Sequence, residues 1–298
     1  MLDVLCVGHA SFDITMSVPH QPDSDEKMLA DALILGGGGP AANAAVQVAR
    51  LGGSAGFCGY LGHDIFGEEH IEELAHEGVD TGLIVRGGHA SPLSQILAKP
   101  DGSRSVVNFK ADTPWLPADA VELRRIEALA PNVILFDGHE PLLSTAICDW
   151  AKAQNIPTVL DAGSLHRGTR ELAPNVDYLV VSERFACQYC ELVRPEACLA
   201  PLGEISANVI ITLGERGLIW SHAGKTGEFP AYSIEAVDST GAGDAFHGAF
   251  ALAVARNMVW DDALNFASAA GALTCTKLGA RASLPYEDQV LSLISNNS

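Results

Sequence analysis

The sequence is poor in aromatic residues and in positive charge. Aromatic side chains make up 6% of the 298 residues, and 18 Lys and Arg stand against 37 Asp and Glu, which gives a formal net charge of −19. A chain this acidic cannot bind nucleic acid by releasing counterions from the phosphate backbone, so nucleic acid is a poor candidate as a partner. Any small anion that binds must be held by local amides and cations, because the overall field repels it.

Long hydrophobic runs and a disulfide framework are also missing. No apolar run reaches the roughly 20 residues of a membrane helix, and the N-terminal segment MLDVLCVGHASFD lacks the basic start and apolar core of an export signal. The 7 Cys are an odd number scattered through apolar stretches, which favours a reducing compartment. We therefore expect a cytoplasmic protein that does not bind a membrane. The absence of a G-x-x-x-x-G-K-[ST] string excludes a P-loop mechanism.

What the sequence does contain is an alternation of short apolar segments with segments of helical spacing. Strands are predicted at 4–8, 54–62, 132–138, 157–163, 177–182 and 208–214, and helices at 40–51, 66–77, 141–154, from 183, at 243–256 and at 261–277. Apolar strands separated by helices predict a mostly parallel sheet covered by helices on both faces. Ligands bind beyond the carboxyl ends of such strands, where the sequence places Asp137, His139, Glu140, Asp161, Ser182 and Thr212.

Two pieces of the chain interrupt this alternation. Residues 13–35 and 91–113 lack helical spacing, and a Pro-Asp-Gly turn between two alternating runs predicts a hairpin in the second piece. We predict that both pieces form a small β-sheet lid over the mouth of the main sheet. No internal repeat or linker divides the chain, so residues 1–298 are predicted to form a single α/β domain.

The string DSTGAGDAFHGAF (238–250) combines a glycine turn, a carboxylate and an apolar helix. The apolar residues after Asp244 have helical spacing, which places Asp244 in the first turn of that helix. The glycines leave the amides of residues 241–243 free to point at a ligand, and with the helix dipole they form an anion site that suits a phosphate. A carboxylate beside a phosphate is useful if it accepts the proton of an attacking alcohol, for which an Asp of ordinary or lowered pKa is sufficient. The string therefore predicts a kinase.

DSTGAGD resembles the nucleotide-site signature of the PfkB-type, or ribokinase-like, carbohydrate kinases, and the resemblance extends from GHASFD to the end of the chain. It implies a ribokinase-like fold that uses ATP and Mg²⁺. It also implies that Asp244 is the catalytic base and that the amides of Gly241, Ala242 and Gly243 form the anion hole. The family often binds K⁺ beside this loop, and the matching positions here are Asp238, Thr240 and, in TKLGARASLP (276–285), Gly279 and Ser283.

The string GGGGPAANAAVQVARLG (36–52) leads four glycines into an Ala-rich helix. It contains G-x-G-x-x-A, the glycine pattern of dinucleotide-binding folds. Here, however, the glycines do not follow the first strand, and no acidic residue lies about 20 positions further on within a βαβ unit. Both facts argue against a dinucleotide-binding fold. The string resembles the N-terminal signature of the PfkB-type kinases, in which the positions of Gly38, Gly39 and Asn43 contact sugar hydroxyls. Asp13 of GHASFD matches the sugar-binding Asp of the same family.

Further site residues follow from the same resemblance. ITLGERG (211–217) resembles the segment on the adenine and ribose side, so the nucleotide-binding candidates are Ser182, Thr212, Gly214, Gly217, Gly241 and Gly243. Where many members have Asn-x-x-Glu, whose Glu orders water around Mg²⁺, this chain has Ser182 to Phe185, and Glu183 is the candidate substitute. The remaining substrate-binding candidates are His139 and Glu140 after the strand at 132–138, and Asn108 on the lid hairpin.

Two classes of function remain open. The first is an ATP-dependent sugar kinase. GGGGPAANAA and GDAFHGAF look close to the ketohexokinase and sulfofructose kinase branch, which favours a ketose such as fructose or a ribose-like sugar, with a nucleoside as the alternative acceptor. The second is a catalytically silent regulator that binds a sugar or a nucleotide. A homodimer through the lid is a further expectation, because the exposed edges of a small sheet need covering.

Overall fold

The computed structural model describes residues 1–110 and 113–297. The strands are β1 (Val4–Val7), β2 (Ser11–Ser17), β3 (Ala32–Gly38), β4 (Ala55–Cys58), β5 (Tyr60–Gly62), β6 (Val85–Gly87), β7 (Leu93–Ala98), β8 (Arg104–Phe109), β9 (Val133–Phe136), β10 (Thr158–Ala162), β11 (Tyr178–Ser182), β12 (Asn208–Thr212), β13 (Leu218–His222) and β14 (Lys225–Phe229). The helices are α1 (Pro40–Arg50), α2 (Ile65–His76), α3 (Leu123–Leu129), α4 (Pro141–Gln154), α5 (Arg167–Leu172), α6 (Glu183–Cys190), α7 (Pro195–Gly203), α8 (Ala242–Ala255), α9 (Trp260–Thr274), α10 (Ala280–Ser283) and α11 (Glu287–Asn296). No helix in these residues is both long enough and apolar enough to span a bilayer.

The central sheet has eight strands in the order β14-β13-β12-β11-β10-β9-β1-β4. The six strands from β12 to β4 pair in parallel, and β13 and β14 extend the sheet antiparallel at one edge. Every residue of β1, β4, β9 and β10 is buried, as expected for a parallel sheet covered on both faces. The predicted α/β architecture agrees with this arrangement. The hairpin of β13 and β14 has no counterpart in the strands predicted from the sequence.

Helices cover both faces of the sheet. One buried cluster joins α1, α8 and α9 through residues such as Val46, Phe250 and Phe266, and the other joins α4, α6 and α7 on the opposite face. Helices α1 and α8 cross closely at Gly248, where a Cβ atom would lie 2.6 Å from the carbonyl oxygen of Ala44. This close crossing brings the first turns of α1 and α8 together, and both turns carry predicted site residues.

A second, four-stranded sheet has the order β3-β2-β7-β8. Its strands overlap the two pieces predicted at 13–35 and 91–113, but β2 begins two residues earlier at Ser11 and β3 continues to Gly38. Residues 18–31 form no strand, and residues 111 and 112 lie outside the described part of the chain. Register pairs Asp13 with Ser94 and Ser94 with Asn108, so these polar side chains share one face. The opposite face is apolar and exposed, with Leu33, Leu35, Val107 and Phe109 on its outer strands.

The segment predicted as one strand at 54–62 is divided into two. Strand β4 belongs to the central sheet, whereas β5 pairs with β6 in a separate two-stranded sheet. The break falls at Gly59, where a Cβ atom would lie 2.2 Å from the carbonyl oxygen of Gly8. Only a residue without a side chain allows such a close approach, and the chain leaves the central sheet at this point.

Candidate active site

The loop at 238–243 leads into α8 at the carboxyl edge of the central sheet. Gly241 precedes the helix with φ +82, and a Cβ atom there would lie 2.9 Å from Cβ of Ala280, so glycine is required at this position. The first N–H groups of a helix have no intrahelical acceptor, and the amide of Ala242 makes only a 3.4 Å contact with the carbonyl of Ser239. Gly243 is exposed, so the geometry of this turn fits an anion, and the anion site itself stays a prediction.

Asp244 lies half-buried in the first turn of α8 and contacts Asn43 of α1. Nδ2 of Asn43 donates to Oδ2 of Asp244 at 2.7 Å, and Asn43 itself is 2% exposed. Burial raises the pKa of Asp244, although the hydrogen bond from Asn43 and the nearby His247 and Arg104 act in the opposite direction. The sequence does not give this direction of the pKa, because it does not show how far the carboxylate is removed from water. A raised pKa makes Asp244 a stronger proton acceptor.

Further carboxylates stand close to Asp244. Burial raises the pKa of Asp13 to about 6, opposed by hydrogen bonds from Ser11 and Ser94. Burial, together with Asp244 and Asp137, raises the pKa of Asp161 well above its ordinary value. Burial therefore disfavours the charged form of each of these carboxylates.

The predicted sugar-binding residues Gly38, Gly39 and Asp13 lie side by side. A Cβ atom on Gly38 would lie 2.1 Å from a carboxylate oxygen of Asp13, and Gly39 has φ +91 at the start of α1. Asp137 holds the surrounding backbone, because its carboxylate accepts from the amides of His9, Ala41 and His139. Gly38 therefore allows the backbone to approach Asp13 closely, and Gly39 allows it to approach the backbone of His9 and Ala10.

The remaining predicted substrate-binding residues are His139 and Glu140, which follow β9, and Asn108 on β8. Glu140 is buried, accepts from the amide of Leu116 at 2.7 Å and lies 3.7 Å from Nζ of Lys110; burial raises its pKa. The ring of His139 stacks on His166 at a centroid distance of 4.5 Å and contacts the tilted ring of His9 at 5.1 Å. Burial lowers the pKa of His9 to about 3 and of His166 to about 4, so both rings are neutral at pH 7. Asn108 is exposed on β8.

The four predicted cation ligands form one connected cluster. Oδ1 of Asp238 accepts from the amide and hydroxyl of Thr240 at 2.9 and 2.6 Å, and Oδ2 accepts from the amide of Gly279 at 2.9 Å. Ser283 Oγ donates to the carbonyl of Gly279 at 2.5 Å and lies 3.0 Å from the carbonyl of Lys277. Carboxylate, hydroxyl and carbonyl oxygens are the donors that hard cations prefer, so the residues present fit a monovalent cation.

The predicted nucleotide-binding residues lie at the ends of β11 and β12. Ser182 and Thr212 are neighbours in register, and their hydroxyls donate to the carbonyls of Gly163 and Val181. Gly214 and Gly217 flank a tight turn with φ +62 and +85. Glu183, the candidate substitute in the Mg²⁺ pattern, forms an ion pair with Arg216.

Comparison with known proteins identifies the family. A family model described as pfkB family carbohydrate kinase matches residues 1–287. The chain belongs to the PfkB family. The ribokinase of Bacillus subtilis is 28% identical over 298 residues, which cover 99% of this chain and 100% of that protein. The aminoimidazole riboside kinase of Salmonella typhimurium is 30% identical over 324 residues, covering 100% of this chain and 97% of that protein.

The fold of this PfkB kinase agrees with a solved relative. A ribokinase from Thermotoga maritima has a TM-score of 0.86 and 26% identity, over 99% of this chain and 100% of that chain. The predicted ribokinase-like fold, the family and the reaction class, a phosphotransferase with an alcohol acceptor, are thereby confirmed. The assignment to the ketohexokinase and sulfofructose kinase branch stays a prediction.

Three residues of the PfkB kinase site were missed by the sequence analysis. Nη1 of Arg104, on β8, donates to Oγ of Ser239 at 2.6 Å, and Arg281 Nε donates to Oδ1 of Asn43 at 2.9 Å. His247 contacts the Gly243 carbonyl at 2.5 Å and lies 3.4 Å from Asp161. Arg281 and His247 stand within quoted motifs, where an Arg or a His among apolar or small residues is the signal that could have found them. Arg104 follows the predicted Pro-Asp-Gly turn, and no motif marks it.

Proposed function

We propose that this PfkB kinase transfers the γ-phosphate of ATP to a hydroxyl of a small sugar, with Asp244 as general base. The observation that carries the proposal is the carboxylate of Asp244 in the first turn of α8, directly after the amides of Gly241, Ala242 and Gly243. The carboxylate accepts the proton of the acceptor hydroxyl while that oxygen attacks the γ-phosphorus. The three amides stabilise the charge on the transferred phosphate.

The nucleotide is proposed to lie along the ends of β11 and β12, next to Ser182, Thr212, Gly214 and Gly217. Mg²⁺ would neutralise charge on the phosphates, and K⁺ held by Asp238, Thr240, Gly279 and Ser283 would offset the repulsion between ATP and this acidic loop. The hydrogen bond from Arg104 to Ser239 supports a further role for the four-stranded sheet. Through this bond the guanidinium of Arg104 lies beside the loop at 238–243. The sheet is proposed to act as a lid that excludes water from the reacting phosphate.

The acceptor is proposed to be a ketose such as fructose or a ribose-like sugar. Its hydroxyls would bind Asp13, Asn43 and the backbone at Gly38 and Gly39 on one side, and Asn108, His139 and Glu140 on the other. The names of the ribokinase and riboside kinase relatives support a ribose-containing acceptor. The riboside kinase, at 30% identity, also keeps a nucleoside as the second candidate.

The PfkB kinase is proposed to form a homodimer through its lid. The outer face of the four-stranded sheet carries Leu33, Leu35, Val107 and Phe109, and Val107 is 69% exposed. An apolar sheet face of this kind is typical of an interface, and a two-fold axis would pack one such face against its copy.

A coupled assay of ADP release tests the proposed function. Fructose, ribose, deoxyribose and nucleosides are offered with ATP and Mg²⁺, with and without K⁺. We expect turnover with one class of acceptor and a higher rate with K⁺. Thermal shifts with sugar and ATP but no ADP release from any acceptor would contradict the kinase and favour the regulator.

A further inference from the structure

A chain of buried hydrogen bonds ends at Asp244. Nε of Arg281, on α10, donates to Oδ1 of Asn43 at 2.9 Å, and Nδ2 of Asn43 donates to Oδ2 of Asp244 at 2.7 Å. Behind Arg281, its Nη2 lies 3.1 Å from Nε2 of His70, on α2. Arg281 is 4% exposed and His70 is fully buried. Three helices thus supply residues to one path that leads to the proposed base.

The chemistry of arginine fixes the direction of every bond in this path. A guanidinium only donates, so Oδ1 of Asn43 must face Arg281 and the amide nitrogen of Asn43 must face Asp244. For the same reason Nε2 of His70 must be the unprotonated nitrogen. Burial lowers the pKa of His70 well below its ordinary value, with Arg281 acting in the same direction, which agrees with a neutral ring that accepts from Arg281.

We propose that Arg281 is a positioning residue that locks the amide of Asn43, and thereby commits Oδ2 of Asp244 to Asn43 and reserves Oδ1 for the proton of the acceptor hydroxyl. This inference rests on the proposed role of Asp244 as base. In the transfer step the O–H bond of the acceptor breaks and a proton bonds to Oδ1. The acceptor oxygen bonds to the γ-phosphorus, and the bond from that phosphorus to the departing ADP oxygen breaks.

The position of Arg281 is costly for the fold, which argues against a purely structural role. Its nearest carboxylate oxygen, on Glu73, is 3.7 Å from Nη1, and that nitrogen has no hydrogen-bond partner among the described residues. A buried charge is destabilising when its counterion makes no hydrogen bond to it, because Coulomb attraction alone offsets only part of the desolvation. The backbone around Arg281 is anchored separately, because Nη1 of Arg50 donates to the carbonyls of Arg281 and Leu284 at 3.0 and 2.7 Å.

Two single variants, Arg281→Met and Arg50→Met, separate the positioning of Asn43 from the anchoring of the backbone. Arg281→Met removes the donors and the charge, and we expect kcat to fall about 10- to 100-fold, the range of one hydrogen bond to a charged group, while KM for sugar and ATP changes less than about threefold. Arg50→Met removes the backbone anchor and the ion pair with Glu77, and Arg50 makes no hydrogen bond to Asn43 or Asp244, so this variant should lower Tm and keep kcat. Arg281→Lys keeps the charge, but one ammonium nitrogen cannot replace both Nε and Nη2, so it should restore kcat only in part.

In a plot of kcat against pH, the fall on the acid side reports the protonation of Asp244. This part of the plot is the acid limb. Loss of Arg281 should move this limb to higher pH, whereas Arg50→Met should leave it in place. The other charged or titratable groups that face Asp244 are the same in both variants: Asp13, Asp137, Asp161, Arg104 and His247. Equal shifts of the limb in the two Met variants would overturn the inference.

A double variant tests whether Arg281 acts through Asn43. If it does, Asn43→Ala with Arg281→Met should have the same kcat as Asn43→Ala alone, because the path is already broken. If the double variant instead loses kcat by the product of the two single-variant losses, the inference is overturned.

A titration that needs no turnover separates this inference from the proposed function. The ¹³C carboxyl signal of Asp244, assigned by its loss in Asp244→Asn, is followed with pH in each variant. An upward shift of its pKa in Arg281→Met but not in Arg50→Met supports the connection, even if no acceptor is phosphorylated and the proposed function fails. An unshifted pKa in Arg281→Met overturns it, even if the enzyme turns over.

Discussion

Replacement of the proposed base by its amide is the most direct test of the site. In Asp244→Asn the side chain keeps its shape, and the amide oxygen can still accept the 2.7 Å hydrogen bond from Asn43. The amide cannot accept the proton of the acceptor hydroxyl. We therefore expect kcat to fall by about 10² to 10⁴-fold, which corresponds to about 3–5 kcal/mol of transition-state stabilisation.

Binding and folding should survive the same substitution. The hydrogen bond from Asn43 becomes a bond between neutral groups and weakens by about 1 kcal/mol, but the penalty for burying a carboxylate, visible in the raised pKa of Asp244, disappears. These terms offset each other, so Tm should change by no more than about 3 °C. The dissociation constants of the sugar and of a non-hydrolysable ATP analogue, measured by calorimetry, should stay within about threefold.

Asp177→Asn is the matched control for the coupled assay. Asp177 accepts from the amide and hydroxyl of Thr158 at the opposite ends of the strands, so its loss should lower Tm and leave kcat unchanged. A kcat of Asp244→Asn within about threefold of the wild-type value would refute the assignment of the base.

Three further predictions use the same structure. Burial raises the pKa of Asp13 from 3.8 to about 6, so the free energy of unfolding of the wild type should fall as pH rises from about 4 to 6. Asp13→Asn lacks this loss, and urea unfolding at pH 7 should show it to be more stable by up to about 3 kcal/mol. Gly224→Ala, at φ +75 with open space, should cost only about 1 kcal/mol, whereas Gly241→Ala, which meets Ala280, should also lower kcat; equal kcat in both would contradict the close fit of the loop. Val107→Lys should shift the sedimentation coefficient to that of a monomer, and an unchanged coefficient would exclude the lid face as the interface.

Local sequence patterns predicted most of the architecture. The apolar runs at 132–138 and 177–182 became β9 and β11, and the helical spacing after Asp244 became α8, because a strand or helix buried in this way must be apolar along its length. The glycines at 38 and 241 were found for the same reason, since a turn or a close approach of backbone leaves few other residues to choose from. The break at Gly59 was not found, because one glycine within an apolar run does not reveal which sheet the next residues join.

The sequence by itself determined the family, the α/β architecture and the glycine turn that leads into the helix of Asp244, because each depends on residues that are neighbours along the chain. Only the tertiary structure decided the pKa direction of Asp244 and the partners that surround it. Asn43 and Arg281 are 238 positions apart, yet they share a hydrogen bond. Burial and hydrogen-bond direction are properties of the packed helices, and no local pattern encodes them.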